Sequence, residues 1–349
     1  MKYEVHVEER IFHFIQPAGT SRGVYRERRS WFVNLKDNEG NVGVGECAPL
    51  PGLSCDDITE YDKVLHEFAV ELCHTGEIPY EALRDYPSML FGLETAKQSL
   101  LRHGSRLSDT PFADGKEGIP INGLVWMGTY DEMLQRMEDK LEKGFRCVKI
   151  KIGAIDFNDE MELLRLIRKR FSKDSVELRV DANGAFLPSE ALSKIELLAL
   201  YDLHSIEQPI RQGNTEELAR LCRETTLPIA LDEELIGLNH VEQKEILLDT
   251  VRPQYLVLKP SLHGGMIGTQ EWINMAEKRG IGSWITSALE SNVGLNAIAH
   301  LCASVFGSQI TMPQGLGTGQ LFADNIAMPL EIIGDELWYH GHNEKKDLL

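Results

Sequence analysis

The sequence predicts a β/α barrel that follows a smaller α+β domain. Three observations point there: short apolar runs recur at an even spacing from Ile119 onward, amphipathic helical stretches separate them, and polar or charged residues end nearly every run. The runs are INGLVWM, CVKIKIG, ELRVDAN, HSIEQPI, PIALDEE, YLVLKP, SWITSALE and QITMPQG. They are rich in Val, Ile and Leu, as parallel strands covered on both faces must be. The segments between them, such as YDEMLQRMEDKLEKG and FNDEMELLRLIRKRF, carry the helical period. Residues near the run ends keep the rhythm. Lys151 to Asp181 is 30 residues, Asp181 to Glu207 is 26, Glu207 to Asp232 is 25 and Asp232 to Lys259 is 27, with 28 from Lys259 to Ser287 and 28 from Ser287 to Gly315. A strand, a crossover helix and two loops need about 30 residues. An open doubly wound sheet would gather its polar residues at one switch point, so the barrel is preferred.

Ahead of the barrel, residues 2–16 and 30–46 alternate polar and apolar residues as half-buried strands do. A polar, glycine-containing loop is expected between them, from Pro17 to Arg29. A second loop, GECAPLPGLS, runs from Gly45 to Ser54, and helical patterns follow over Asp57–Thr75 and Leu93–Arg102. After Gly319 the rhythm ends, so the tail is expected to return to the first domain, with GHNEKKDLL frayed at the end.

A chain of 349 residues with 42% hydrophobic and 26% charged residues can bury a large core. Lys and Arg number 36 against 54 Asp and Glu, a net charge of −18. This excludes a general nucleic-acid binder and argues against adhesion to an anionic membrane. A small anionic substrate stays compatible, because a local basic pocket or a metal can outweigh the global sign. No apolar run reaches the length of a membrane span, and MKYEVHVEER is no signal peptide. The six cysteines are scattered without a CxxC pair, so reduced core thiols and a cytoplasmic protein are expected. The oligomeric state is left open between monomer and homo-oligomer.

The chemistry lies at the strand ends. Lys149 and Lys151 sit two apart in CVKIKIG and so face one side. Asp181, Glu207 and Asp232 end three successive runs. Any one of them reads as a helix N-cap or a structural salt bridge, but three carboxylates converging on one point repel each other. A divalent cation compensates, and an all-oxygen donor set suits Mg²⁺ or Mn²⁺ rather than zinc. Lys259 ends the next run, so lysines flank the acids from both sides. The ion and the neighbouring ammonium groups are expected to lower the lysine pKa values. Such a site suits removal of a proton α to a carboxylate.

The set Lys149-Ile150-Lys151, Asp181-Ala182-Asn183, Glu207, Asp232-Glu233 and Lys259 resembles the enolase superfamily, in its muconate-lactonizing-enzyme subgroup. Lysine bases with Mg²⁺ are the stated pattern of that superfamily. The resemblance implies an α/β barrel of the TIM-like (β/α)7β type, with an α+β N-terminal capping domain completed by the C-terminal segment. The boundaries implied are 1–115 for the cap, with 325–349 returning to it, and 116–324 for the barrel. It also implies that the GECAPLPG loop closes over substrate.

Within the subgroup, SALESNVGLNAIAHLCA and QGLGTGQLFADN resemble the o-succinylbenzoate synthase family. Dipeptide epimerases carry an Asp-x-Asp at the eighth strand end, where this chain has Gly315-Leu316-Gly317. The resemblance implies a metal-assisted dehydration of a cyclohexadiene carboxylate to an aromatic one, in menaquinone biosynthesis. The alternatives are a dipeptide epimerase, a muconate cycloisomerase or a catalytically silent barrel. It implies that Lys151 moves the proton, that Lys149 assists by charge, and that Lys259 stabilises the enediolate. Asn183 and Glu233 are expected to orient the lysines and ligands. Ser287, Ser291 and the backbone of Gly315, Leu316 and Gly317 are candidates for the succinyl tail. GLGTG lacks the spacing of a phosphate loop. Arg22, Arg26, Arg28 and Arg29 read as a mobile basic lid or a solvated face. His204, His263 and the tryptophans are expected to pack rather than react.

Overall fold

The computed structural model describes residues 2–20 and 23–341. The chain opens with β1 (Glu4–Thr20), β2 (Gly23–Lys36) and β3 (Val42–Cys47), an antiparallel sheet in the order β1-β2-β3. Strand pairing continues through the expected Pro17–Arg29 loop. The register shifts between His13 and Ala18, and pairing resumes from Ala18 with Tyr25 to Thr20 with Gly23. A bulge of this kind takes up a proline that the ladder cannot use, so Pro17 does not end the strand. Arg22 lies outside the described residues, as do the last residues of the frayed-tail expectation, 342–349.

Three helices cover the sheet: α1 (Tyr61–Thr75), α2 (Tyr80–Leu83) and α3 (Pro87–Arg102). Pro87 at the first position of α3 has no N–H to leave unsatisfied, and the helix starts there rather than at Leu93. Trp31, Val33 and Leu35 of β2 pack with Leu65, Leu72, Leu90 and Leu93 into one apolar core. The approach of β3 to α3 depends on glycine. A Cβ on Gly45 would lie 1.9 Å from the Gly92 carbonyl oxygen.

The barrel follows. Its elements are β4 (Ile119–Pro120), β5 (Gly123–Val125), α4 (Tyr130–Glu142), β6 (Cys147–Lys151), α5 (Phe157–Arg170), β7 (Glu177–Asp181), α6 (Pro188–Leu198), β8 (Ser205–Glu207) and α7 (Thr215–Glu224). Then come β9 (Ile229–Leu231), α8 (Val241–Val251), β10 (Tyr255–Leu258), α9 (Gly265–Glu277), β11 (Gly282–Ile285) and α10 (Asn292–Phe306). Strands β5 to β11 form one parallel sheet in sequential order. Helix starts are sequence-coded: Thr129 and Glu132 make a reciprocal capping box on α4, and Asp156 caps α5.

Closure is made by two residues. Gln314 bridges Ile121 and Gly315 bridges Thr286. The eighth run, QITMPQG, contributes only these two bridges, with main-chain hydrogen bonds from Gln314 N to Pro120 O and from Gly315 N to Ile285 O, because Pro313 has no N–H for a longer ladder. The Gln314 side chain partly substitutes: its Oε1 accepts from Ile285 N at 2.7 Å and its Nε2 donates to Met312 O at 2.7 Å.

After the barrel, Phe322 packs on Phe12 and Phe14, and Asp324 accepts from His13 N at 2.9 Å. The contact with β1 thus begins before residue 325, while Ile326 and Met328 pack against the same cluster. The final strands β12 (Leu330–Ile333) and β13 (Glu336–Tyr339) pair with each other, and β13 pairs with β4, so they join the barrel's entry strand and not the cap sheet. All six cysteines are free, and Cys55 alone is exposed. No helix among the described residues is long and apolar enough to cross a membrane.

Candidate active site

Strand register assembles the site. Lys151 pairs with Asp181 across β6 and β7, and Asp181 pairs with Glu207 across β7 and β8. Glu207 is opposite Ala230, two residues before Asp232. Alternation along β6 brings Lys149 to the same side as Lys151. Lys149, Lys151, Asp181, Glu207 and Asp232 are buried, and Lys259 is nearly so.

The lysines stand among the acids. Lys149 Nζ lies 3.1 Å from Asp181 Oδ2 and 2.9 Å from Glu207 Oε2. Lys151 Nζ is 2.7 Å from the same Asp181 oxygen, and Lys259 Nζ is paired with Asp232 Oδ2. Burial alone would lower the Lys149 pKa, but Glu207 and Asp181 outweigh it and hold the ammonium well above its ordinary value. Lys259 is likewise raised, with Asp232 the chief opposing cause. For Lys149 and Lys259, with no ion among the acids, the facing carboxylates act as counter-ions and set the direction of the shift. Asp181 falls well below the carboxylate range because Lys151 and Lys149 outweigh burial. Glu207 moves far up, through burial first and then the charges of Asp181 and Asp232.

Asn183 joins these groups to a further carboxyl. Its Oδ1 accepts from Lys151 Nζ at 2.6 Å and its Nδ2 donates to Glu233 Oε1 at 2.9 Å. Asn183 has φ 43°, a left-handed conformation that a side chain rarely adopts. The backbone N–H of Asn183 donates to Asp181 Oδ1 at 3.0 Å and holds that turn. Burial and the Asp232 charge push Glu233 up to about 7. Gln208, passed over in the sequence, accepts from Asp232 N at 3.2 Å and Glu234 N at 3.1 Å. His263 stays structural, its Nδ1 accepting from Lys259 N at 2.9 Å.

A cavity of about 90 Å³ opens above this floor. Lys149, Lys151, Lys259, Asn183 and Glu233 line it from the barrel, and Leu50 and Leu53 line it from the cap loop. Trp126 also lines it while packing against the cluster of Leu50, Ala288 and Leu289. Asn122 and Thr318 were not singled out in the sequence, because neither carries a pattern that separates it from a loop residue. A second pocket of about 310 Å³ shares Asn183 and Glu233 and extends to Arg211.

The tail candidates separate. Ser287 and Gly315 line the cavity, with Ser287 Oγ 2.6 Å from Thr318 Oγ1. Gly315 must lack a side chain, since a Cβ there would lie 2.1 Å from Thr286 Oγ1. Ser291 is elsewhere: its Oγ caps α10 through Val293 N at 3.2 Å and donates to Glu46 at 2.6 Å. Leu316 is buried in the barrel core, and Gly317 is not among the cavity-lining residues. The basic lid is also corrected. Arg28 is fully buried and Arg29 is paired with Glu9 at 3.2 Å, both within the regular strand β2.

Lysines and carboxylates at the strand ends of a capped barrel define a proton-transfer site of the enolase type. A family model described as "Enolase C-terminal domain-like" matches residues 132–326, and one described as "MenC, N-terminal domain" matches residues 20–100. An o-succinylbenzoate synthase from Desulfotalea psychrophila is 44% identical, covering 92% of this chain and 95% of that one. The crystal structure of MenC from the same organism superposes with a TM-score of 0.81 at 39% identity, over 97% of this chain and 100% of that one. An L-Ala-D/L-Glu epimerase from Bacillus subtilis is 26% identical over 83% of this chain and 81% of its own. The chain belongs to the o-succinylbenzoate synthase family of the enolase superfamily.

Enzymes of this superfamily use a divalent metal. Among the described residues no three His, Cys, Asp or Glu side chains are gathered closely enough to hold an ion as they stand. The donor set nevertheless fits one. Asp232 Oδ1 is buried without a hydrogen-bond partner, and the three acids interact through their charges.

Proposed function

We propose that this chain is a hydro-lyase that removes water from 2-succinyl-6-hydroxy-2,4-cyclohexadiene-1-carboxylate (SHCHC), giving aromatic o-succinylbenzoate in menaquinone biosynthesis. The observation that carries the reading is the opposition of Lys151 and Lys259 across one row of buried carboxylates, all beside one cavity. The 44% identical relative supports this substrate over others of the superfamily. The cap, through Leu50 and Leu53, and the barrel strand ends would form the two sides of the site.

Asp181, Glu207 and Asp232 would hold a divalent ion, Mg²⁺ in preference and Mn²⁺ as second choice. When bound, such an ion supplies positive charge to the substrate carboxylate and relieves the lysines of their role as counter-ions. Lys151 in its neutral form takes the proton α to that carboxylate. The ammonium so formed then gives a proton to the departing hydroxyl, the C–O bond breaks, and water leaves. Asn183, held by Glu233, aims Lys151 Nζ. Lys149 adds charge beside it. Lys259 stabilises the enediolate from the opposite face by its charge and by cation–π attraction to the ring. Leu50, Leu53 and Trp126 exclude water from the ring, and Ser287 and Gly315 border the substrate.

The test is conversion of SHCHC with Mg²⁺, using EDTA and Lys151→Ala as controls. Metal-dependent conversion, abolished by both, supports the activity and the base. A folded, metal-binding protein that leaves SHCHC unchanged removes this substrate, and dipeptides would then be screened for α-proton exchange in D₂O.

A further inference from the structure

Among the described residues three buried cations lie outside the catalytic set, and two of them, Arg179 and Lys244, are paired with Glu177 and Glu271. Arg28 of β2 is fully buried, and its guanidinium meets only main-chain carbonyls within hydrogen-bond reach. Nε donates to Leu289 O at 3.1 Å, and Nη2 donates to Ala48 O at 2.5 Å and Ala288 O at 3.4 Å. Nη1 donates to Pro49 O and, at 3.4 Å, to Arg29 O. An arginine has five N–H donors, so the whole fork is satisfied. Among the described residues no carboxylate touches it; Glu290 and Glu46 balance its charge from a distance.

The carbonyls come from two places. Ala48 and Pro49 begin the cap loop that carries Leu50 and Leu53 into the catalytic cavity, and Ala288 and Leu289 are themselves walls of that cavity. The two loops also meet in one apolar cluster, Ala18, Leu50, Leu262, Ala288 and Leu289. Apolar contact alone can slide. A planar fork with donors on both edges fixes the separation of the groups it joins. Lysine cannot copy this, because its three N–H groups leave one nitrogen and cannot span two loops.

We propose that Arg28 is a positioning residue for substrate binding: it holds cap loop 48–53 and barrel loop 286–291 at one spacing and so sets the width of the catalytic cavity. The lysines and carboxylates stand on the barrel strands and do not depend on it. The kinetic part of this inference rests on the catalytic reading above.

The experiment pairs kinetics on Arg28→Lys and Arg28→Ala with hydrogen exchange of the two loops. For Arg28→Lys the expected result is a KM raised on the order of tenfold or more with kcat within about threefold, since misplacement of binding groups costs that much without touching the chemistry. A merely structural residue would instead lower the active fraction, cutting apparent kcat at constant KM, and that result overturns the proposal. So does a wild-type KM in a folded Arg28→Lys variant. In the wild-type protein the two loops are expected to exchange as one unit, at matching rates with and without bound o-succinylbenzoate. Unmatched rates there overturn the proposal even if neither variant folds. Exchange needs no turnover, so failure of the wild type to convert SHCHC would sink the catalytic reading while leaving the exchange result to decide the clasp.

Discussion

Glu46 offers the sharpest quantitative test of how the cap is fastened to the barrel. Its carboxylate is fully buried and accepts four hydrogen bonds: Ser30 Oγ at 2.7 Å, Ser291 N at 2.9 Å, Ser291 Oγ at 2.6 Å and Gly294 N at 2.9 Å. Two of the donors are backbone N–H groups in the first turn of α10, where a helix leaves its amides unpaired. Glu46→Ala strands both in the interior. A stranded buried donor costs about 1–3 kcal/mol, and losing the negative charge at a helix N-terminus adds about 0.3–1 kcal/mol. The two amides and the charge together predict a loss of about 2–7 kcal/mol. Glu46→Gln keeps one acceptor oxygen and its shape, so about half that loss is expected. Urea unfolding measures both as shifts of midpoint at constant slope. A loss below about 1 kcal/mol in Glu46→Ala would refute the reasoning, because it would mean that α10 finds its cap elsewhere.

Metal binding should raise the melting temperature with Mg²⁺ or Mn²⁺, by about 2.7 kcal/mol of stability at a hundredfold excess over Kd, and Asp232→Asn should remove the shift; an unchanged shift would remove Asp232 from the ligand set. Glu94 governs a pH dependence: burial pushes its carboxyl up to about 8, outweighing the N–H groups of Met266 and Ile267. Its folded pKa is above the unfolded value of about 4.3, so the folded state binds the extra proton; this stability is full below that value and declines up to about pH 8. The urea midpoint of Glu94→Gln should lack that decline, and equal pH slopes in both proteins would contradict it. Gly45→Ala should destabilise by about 3 kcal/mol or more, since the new Cβ meets the Gly92 carbonyl at 1.9 Å; a neutral effect in urea unfolding would show that β3 can move away from α3.

The barrel was legible because parallel strands must be apolar throughout, which makes a charged residue in such a run conspicuous. The sequence rhythm placed Lys151, Asp181 and Glu207 at strand ends, and the strand register sets them side by side. The direction of the lysine shifts was not legible. Spacing shows which groups converge but not which ammonium falls between which carboxylates. Arg28 was hidden for another reason. Four arginines close together look like a solvated cluster, and nothing in RERRSW says that alternate residues of a long strand turn one of them inward. The same holds for Ser291: a serine before a helix can border a cavity or cap the helix, and only the backbone path decides. Trp126 ends an apolar run and reads as core until the cavity is seen to open beside it.

The closing bridge at Gln314 and Gly315 divides the barrel unequally. Around most of the wall, strands β5 to β11 are zipped by main chain, which almost any residue supplies. At the last meridian a single amide side chain does part of that work, so the integrity of the ring there is a matter of residue identity. That meridian runs beside Ser287 and Gly315, which line the cavity, while the carboxylates stand on the continuously paired strands. At that seam the ring joins main-chain hydrogen bonds from two residues to one from a side chain, so a change of residue 314 alters the wall that borders the cavity without touching the strands that carry the charges.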